Sequence, residues 1–416
     1  MPELNVQNRT LFIRDNVDIL DNLNSECADL IYLDPPFNSN RNYAAPIGSR
    51  AAGVSFKDAW TLDDIDLAWV GQISERYPAL SAVIDAAGIV GGKGDKAYLI
   101  FMARRLLEMR RILKPAGSIY LHCDPTMSHS LKLLMDAVFG GGSFRNEIVW
   151  CYTRMSSKNQ KQLSKAHDII FWYSKTARKN WTFNVDDIRL PYAESSKKRE
   201  GMTLNRLGSG YSKEGVTVLN PGGKFPEDWI RHIPYLRQNE RTGYPTQKPL
   251  ALLERIIKAS TNEGDVVLDP FCGCATTLVA AETLNRQWVG IDVSKKAEDL
   301  INMRLQNAQD MLSTKGAWKK VITREDCPAR TDNGAVMVNK KEQAHILYGK
   351  QEGNCAGCRF HFPFRNMTVD HEKPKSKGGQ TTAENLQLLC GACNSVKGNR
   401  SMAYLLAKLK EQGIIS

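Results

Sequence analysis

Residues 264–294, GDVVLDPFCGCATTLVAAETLNRQWVGIDVS, restrict the fold more than any other stretch of this 416-residue chain. A short apolar strand ends at Asp269, a glycine-containing turn follows, an apolar helix runs on from it, and a second strand ends at Asp292. Strand, turn, helix and strand in that order are an α/β arrangement. A strand that feeds a tight turn into a helix lets backbone amides and the helix N-terminus meet a ligand closely, and Gly273 permits an approach that a side chain would block. Asp292 follows Asp269 by 23 positions, the separation at which an acid can accept ribose hydroxyls in a nucleotide-type site.

A second strand exit lies near the beginning of the chain. In LIYLDPPFNSN, residues 30–40, Leu30 to Leu33 read as a buried strand, and the two prolines after Asp34 cannot continue a hydrogen-bonded ladder. Each proline fixes its own backbone and holds the residue before it extended, so Asp34, Pro35 and Pro36 form a stiff path suited to a site. Between the two exits the α/β pattern continues. A weakly patterned insertion covers about 40–96, and AYLIFMARRLLEMRRIL then spaces its apolar residues as a helix. KPAG is expected to stop that helix before the strand SIYLHCD, a second helix covers MSHSLKLLMDAVFG, and NEIVWCYT and HDIIFWYS read as strands. Pro249 suits the first position of a helix over LALLERIIKAS. AEDLINMRLQNAQDML is a long amphipathic stretch, and the polar segment 313–340 is expected to link two domains.

The net charge of +11 is concentrated in two places. Residues 151–250 carry 18 Lys and Arg against 9 Asp and Glu, and residues 341–416 carry 11 against 6, which makes two basic surfaces of the kind a polyanion needs. With 42% hydrophobic and 24% charged residues, no apolar run of membrane-spanning length and no signal-peptide profile in MPELNVQNRT, the chain reads as a cytoplasmic globular protein that does not enter a membrane. Six of its ten cysteines are scattered and read as free thiols; Cys355, Cys358, Cys390 and Cys393 form two C-x-x-C pairs.

The two strand exits together resemble the amino-methylating DNA methyltransferases, which use S-adenosylmethionine. The catalytic signature of that family, D/S/N-P-P-Y/F/W, is matched by Asp34, Pro35, Pro36 and Phe37, and its cofactor signature, D-P-F-x-G-S-G-T-T, by Asp269 to Thr277, with Phe271, Gly273 and Thr276 among them. Cys274 and Ala275 stand where Ser and Gly are usual. The order of catalytic motif, recognition region and cofactor motif is that of the subgroup termed beta, which includes modification subunits of type III restriction systems. PTQKP, residues 245–249, resembles the family's helix-start motif near the methionine end of the cofactor and so implies Lys248 as a cofactor-binding residue. Over about residues 10–312 the resemblance implies a Rossmann-like α/β methyltransferase with permuted motif order.

It also implies a chemistry for the opening aspartate. An exocyclic amine on adenine or cytosine is a poor nucleophile because its lone pair is delocalised into the ring. If the Asp34 carboxylate and the Pro35 carbonyl accept its two N–H bonds, the lone pair is relocalised toward the methyl group of the cofactor, with Phe37 stacked on a base rotated out of the duplex. An Asp at the first motif position resembles the adenine enzymes and a Ser the cytosine-N4 ones. Attack from cytosine carbon-5 needs a Pro-Cys setting, and the chain has no Pro-Cys dipeptide. Target recognition is assigned to about 184–240, including SSKKRE and YLRQNERTGY, where Arg and Asn can read base edges and Lys can hold phosphates.

The segment CAGC…VDHEKPKSKGG…ENLQLLCGACNSVKGN resembles the HNH nucleases over about 341–404, which implies a small ββα domain. Its four cysteines suit a closed structural zinc site. The family's letters fall on His371, Asn385 and Asn394. They imply His371 as the base that activates water, Asn385 as the brace of its loop, and Asp370 with Asn394 as ligands of one Mg²⁺ on the scissile phosphate. Three readings result: a double-stranded-DNA amino-methyltransferase joined to a nuclease as a restriction and modification pair, a methyltransferase whose zinc module only grips DNA, and a DNA-binding regulator with both centres inactive. The oligomeric state is open, a dimer being one option.

Overall fold

The computed structural model describes residues 3–39, 41–46, 49–52, 55–61, 73, 76–153, 161, 163–178, 180–200, 218–236, 240–311, 320–332, 340–379, 381–382 and 385–415. They form two compact units, Met1–Ala59 with Met102–Ala329, and Trp60–Phe101 with Arg330–Ser416.

The larger unit is built on a nine-stranded sheet. Its strands are β1 (Thr10–Ile13), β2 (Ala28–Leu33), β5 (Leu113–Cys123), β6 (Phe144–Cys151), β7 (His167–Ser174), β8 (Trp229–Ile230), β9 (Val266–Asp269), β10 (Gln287–Asp292) and β11 (Ile322–Arg324), in the order β11-β1-β10-β9-β2-β5-β7-β6-β8. A separate hairpin pairs β3 (Arg41–Ala44) with β4 (Ser55–Asp58). Strand β7 runs antiparallel to both of its neighbours, whereas β11, β1, β10, β9, β2 and β5 are mutually parallel. From β2 the chain winds outward through β5, and from β9 it winds the other way through β10. The winding reverses between β2 and β9, and in open α/β sheets ligands bind beyond the carboxyl ends of the strands at such a switch point.

The helices are α1 (Asn16–Asn22) in the larger unit, α2 (Pro78–Gly91), which falls in the second unit, α3 (Lys93–Ile112), which the division cuts after Phe101, and α4 (Ser128–Phe139), α5 (Leu250–Ser260), α6 (Thr276–Thr283) and α7 (Lys295–Met311) in the larger unit. Helix α5 is amphipathic: Leu252, Leu253, Ile256 and Ile257 join Tyr32, Trp150, Val267, Val279 and Trp288 in one buried cluster. Burying each such aliphatic side chain stabilises by about 1.5–3 kcal/mol relative to exposure.

Several expectations about element ends change. KPAG does not end α3; it lies inside β5, whose pairing with β2 slips between Ala28 and Leu30, so these residues form an irregular entry to a strand. Pro249 is the N-cap of α5 rather than its first turn. The insertion over 40–96 contains the β3–β4 hairpin and α2, which starts at Pro78. Its Ala and Gly content hides the helical period of α2, the latter residue by its backbone freedom. Within the expected linker, Ile322–Arg324 adds an edge strand to β1. Residues 313–319 and 333–339 of that linker, like 201–217 and 237–239 of the recognition region, lie outside the described residues.

In the smaller unit β12 (Met367–His371) and β13 (Leu386–Cys390) form an antiparallel pair, and α9 (Gly391–Lys397) follows directly, giving ββα. Helix α8 (Lys340–Lys350) lays Ala344 and Leu347 against Leu386 and Leu388. Helix α10 (Met402–Glu411), capped by Ser401, packs Leu405 and Leu409 onto the cysteine cluster.

Candidate active site

Strand pairing brings the two Asp-Pro exits together. Leu30 lies beside Val267 and Ile31 beside Leu268, so β2 and β9 deliver Asp34 and Asp269 to one edge of the sheet. Among the described residues the Asp34 carboxylate is held on one side only: Oδ2 accepts from the Lys248 ammonium at 2.6 Å, while Oδ1 is buried and has no hydrogen-bond partner there. Pro35 is buried behind it. Phe37 lies close to parallel with the His122 ring, at 17° and 6.2 Å between centroids, and Lys248 Nζ is 5.1 Å from the centre of the Phe37 ring. The loop after the prolines is tied down by Asp58 at the end of β4, which accepts from the backbone N–H of Asn38 at 2.6 Å and of Ser39 at 3.0 Å.

The second exit forms a cradle. Asp269 Oδ1 accepts from the Phe271 N–H at 3.0 Å, and Asp292 accepts from the N–H groups of Gly273 at 2.9 Å and Ser294 at 2.8 Å. Gly273 has φ +48°, and a Cβ there would stand 3.1 Å from the Tyr244 ring. Ala275, with φ +63°, occupies a left-handed position that costs an L-residue about 1–2 kcal/mol, which gives a physical reason for the usual Gly. Thr276 Oγ1 accepts from Arg304 on α7 at 2.9 Å. Burial raises the Asp269 carboxyl to about 7 and the Asp292 carboxyl to about 6, the charge of Asp34 adding to the shift at Asp269. The cradle holds two buried acids poised to meet a cation or hydroxyl groups.

Lys248 stands on the Asp34 carboxylate. Its hydrogen bonds go to Asp34 and to the Thr246 carbonyl at 3.2 Å, and none to the 269–277 loop. Burial works against its charge, but Asp34 and then Asp168 raise its pKa. Gln247 anchors the same element, donating to the Glu240 carbonyl and accepting from Thr242.

Sequence reasoning missed a buried polar chain beside this site. Leu33 pairs with Leu121, which brings His122 level with Asp34. Tyr32 Oη lies 2.8 Å from His122 Nδ1, His122 Nε2 is 3.0 Å from Asp168 Oδ2, and Tyr152 Oη donates to Asp168 Oδ1 at 2.7 Å. Burial alone would raise the Asp168 carboxyl; the bond and charge of His122 outweigh it and hold the group at about 2. A polar residue inside the apolar runs of SIYLHCD and HDIIFWYS was the available signal.

In the smaller unit the sulfur atoms of Cys355, Cys358, Cys390 and Cys393 all lie within 4.8 Å of one another. Asp370 and His371 close β12. Lys397, fully buried, donates to Asp370 Oδ2 at 2.9 Å and to the His371 carbonyl at 2.8 Å, and Gln387 donates to the same oxygen at 3.0 Å. His371 Nε2 lies 2.9 Å from Thr381 Oγ1. The Asn385 side chain spans the loop beyond His371, bonded to the N–H of Lys373 at 2.8 Å and its carbonyl at 3.0 Å. Asn394 sits one turn before Lys397 on α9.

A family model described as DNA methylase matches residues 28–303, and one described as HNH endonuclease matches residues 355–400. The chain is 31% identical over 300 residues to the Type II methyltransferase M.HpaI of Haemophilus parainfluenzae, covering 71% of this chain and 74% of that one. It is 26% identical over 288 residues to the DNA adenine methyltransferase YhdJ of Escherichia coli K12, covering 69% and 79%, and 25% identical over 354 residues to the Mod subunit of the Type III restriction-modification enzyme StyLTI of Salmonella typhimurium LT2, covering 68% and 51%. Among the described residues no helix is long and apolar enough to cross a membrane. With both strand exits inside the first match and all four cysteines inside the second, this chain belongs to the DNA methylase family and carries a C-terminal HNH domain.

Proposed function

We propose that this protein transfers a methyl group from S-adenosylmethionine to the exocyclic N6 amine of adenine in double-stranded DNA, and that its HNH domain cleaves DNA with Mg²⁺. The observation that carries the reading is Asp34 Oδ1, a buried carboxylate oxygen with no partner among the described residues, beside a stiff Pro-Pro backbone and an aromatic ring. A buried acceptor left unsatisfied is costly, and an incoming N–H donor removes that cost.

The residues at the second exit fit the cofactor. Gly273 leaves room that a Cβ would fill, Asp292 faces the place for ribose hydroxyls, and buried Asp269 is suited to the cationic end. When bound, the cofactor supplies an activated methyl group. The protein's part is to accept the two amine hydrogens at Asp34 Oδ1 and the Pro35 carbonyl, to hold the flipped base on Phe37, and to exclude water from the buried strand ends. The proton released from the amine leaves toward the Asp34 carboxylate. Adenine is favoured over cytosine-N4 because the first motif residue is Asp and because one relative is named for adenine methylation. Methylation is assigned to residues 1–312 and target recognition to about 184–240. There Phe225 and Trp229 are exposed, with the Arg189 guanidinium over the first ring and Arg231 over the second, a stacking surface with basic rims suited to nucleic acid.

For residues 341–416, four convergent sulfurs suit a structural zinc ion. Asp370 and Asn394 are hard oxygen donors that would hold Mg²⁺. Lys397 and Gln387 both donate to Oδ2 of Asp370. The ion would neutralise charge on the scissile phosphate, and a ring nitrogen of His371 would take the proton of the attacking water. The test is methyl transfer from labelled cofactor into unmethylated genomic DNA with sequencing of modified bases, beside nicking of the same DNA in Mg²⁺ and in EDTA. Absence of label in DNA rejects the methylation reading, and equal integrity of the DNA in both buffers rejects the nuclease reading.

A further inference from the structure

The ammonium of Lys248 is the only cation hydrogen-bonded to Asp34 among the described residues, and it is fully enclosed, its side chain 6% exposed. Taking an ammonium out of water costs several kcal/mol unless partners return it, and an apolar side chain of similar volume would pack there at less cost. What returns the cost here lies in the base pocket. Nζ donates to Asp34 Oδ2 at 2.6 Å and to the Thr246 carbonyl at 3.2 Å, and the Phe37 ring centre is 5.1 Å away. Asp168, fixed by His122 and Tyr152, supplies a second negative charge in its field. Gln247 before it and Pro249 after it leave the backbone little freedom to swing toward the 269–277 loop.

A carboxylate gripped at one oxygen cannot turn about its last bond without breaking a charge-assisted hydrogen bond. Asp34 therefore presents one oxygen, Oδ1, in one direction. We propose that Lys248 is a positioning residue of the target-base pocket, clamping Asp34 so that Oδ1 alone meets the exocyclic amine, rather than a ligand of the cofactor. The proposal rests on the methylation reading above and assigns to this lysine a role at the opposite partner of the reaction from the one its sequence motif implies.

The two roles separate in measurement. The full chain is compared with Lys248→Met, Asp34→Asn and the double variant, by calorimetry with S-adenosylmethionine alone and by labelled methyl transfer into unmethylated genomic DNA at saturating cofactor. Lys248→Met is expected to bind the cofactor within threefold of the wild type and to lose about 10²-fold or more in kcat. The double variant is expected to be no slower than Asp34→Asn, because a residue that acts only through Asp34 has nothing left to position. Lys248→Arg, which keeps the charge but changes reach and shape, serves if the methionine variant does not fold. It is expected to lose kcat with unchanged cofactor affinity. A tenfold or greater loss of cofactor affinity with near-normal kcat overturns the proposal and returns Lys248 to the cofactor site. Losses that multiply in the double variant overturn it as well. A wild type that labels no DNA sinks the methylation reading itself, an outcome distinct from both.

Discussion

In the larger unit the carboxyl ends of β2, β9 and β10 bring together Asp34, Asp269 and Asp292 on a nine-stranded sheet with a large apolar core, and burial raises the last two carboxyls. In the C-terminal segment 340–415 two strands and three short helices surround four cysteines, and the core around them is a handful of side chains such as Leu389, Leu405 and Leu409. The first unit has core enough to force charged groups into unfavourable burial and keep them there. The second needs its polar atoms to close the fold, since a segment of this size rarely supplies more than about 3–5 kcal/mol from its core alone. The same residue classes therefore carry different meanings. On the proposed reading a buried acid at a strand end in the large unit serves chemistry, and a buried thiol in the C-terminal segment serves the fold.

The contrast breaks most visibly at the cysteines. Cys355→Ser is expected to unfold the segment 340–415, abolishing DNA cleavage and its share of DNA binding, while methyl transfer persists. In zinc-finger peptides structural zinc contributes about 10–16 kcal/mol of folding free energy, so loss of one ligand should be decisive. Zinc content, circular dichroism and both activities on one preparation check it, and retained cleavage without zinc would show that the cysteines are not a staple.

A smaller effect is expected at Gly273→Val. The added Cβ would stand 3.1 Å from Tyr244, and the left-handed φ of +48° costs a side-chain-bearing residue about 1–2 kcal/mol. Cofactor affinity measured by calorimetry should fall at least tenfold with the melting temperature only modestly lowered. Unchanged affinity would remove the 269–277 loop from the cofactor site.

The buried acids also give a pH signature. Their pKa values in the folded protein, about 7 for Asp269 and about 6 for Asp292, lie above the ordinary carboxylate range. A group raised on folding stabilises most below its unfolded pKa, and that contribution is lost as pH rises through the folded value. The cofactor-free protein should therefore lose on the order of 6 kcal/mol from these two groups together between pH 4 and pH 8. Cofactor affinity should run the opposite way, weakening as pH falls below about 7, because a cationic ligand needs the ionised form. Urea unfolding and calorimetry across pH, with Asp269→Asn as the comparison, test this; the variant should flatten both trends. Identical pH dependence in the variant would show that Asp269 is not the group responsible.

The gentlest change lies at the brace in the small unit. Asn385→Ala removes the pair of bonds to Lys373 and should lower cleavage while leaving zinc content and methylation as they are, with a stability loss of about 1 kcal/mol. Wild-type cleavage in this variant would free Asn385 from any role in orienting the loop.

What could be read from the sequence was local. Asp34-Pro35-Pro36-Phe37, the Asp269 turn and the two C-x-x-C pairs each place their chemistry within a few residues, so backbone stiffness, helix starts and ligand spacing are visible in the letters. What could not be read depends on strand pairing and loop return. Lys248 reaches Asp34 across 214 positions, His122 and Asp168 meet across 46, and Asp58 ties down the Asn38 loop from a hairpin whose strands are too short to announce themselves. Lys397 reads as one more surface lysine near the end of α9, yet it is buried against Asp370. The start of β5 shifted for a related reason: a sheet partner extended β5 back through KPAG, and local propensity carries no information about that partner.

The most direct measurement is the identity of the modified base. Unmethylated genomic DNA treated with the full chain and S-adenosylmethionine, then digested to nucleosides and analysed by mass spectrometry, should contain N6-methyladenine. The same reaction with Asp34→Ala should lose about 10²- to 10³-fold or more of that product while cofactor binding is retained. N4-methylcytosine from the wild type, or an Asp34→Ala variant that methylates adenine at a near-normal rate, would contradict the placement of Asp34 Oδ1 at the adenine amine.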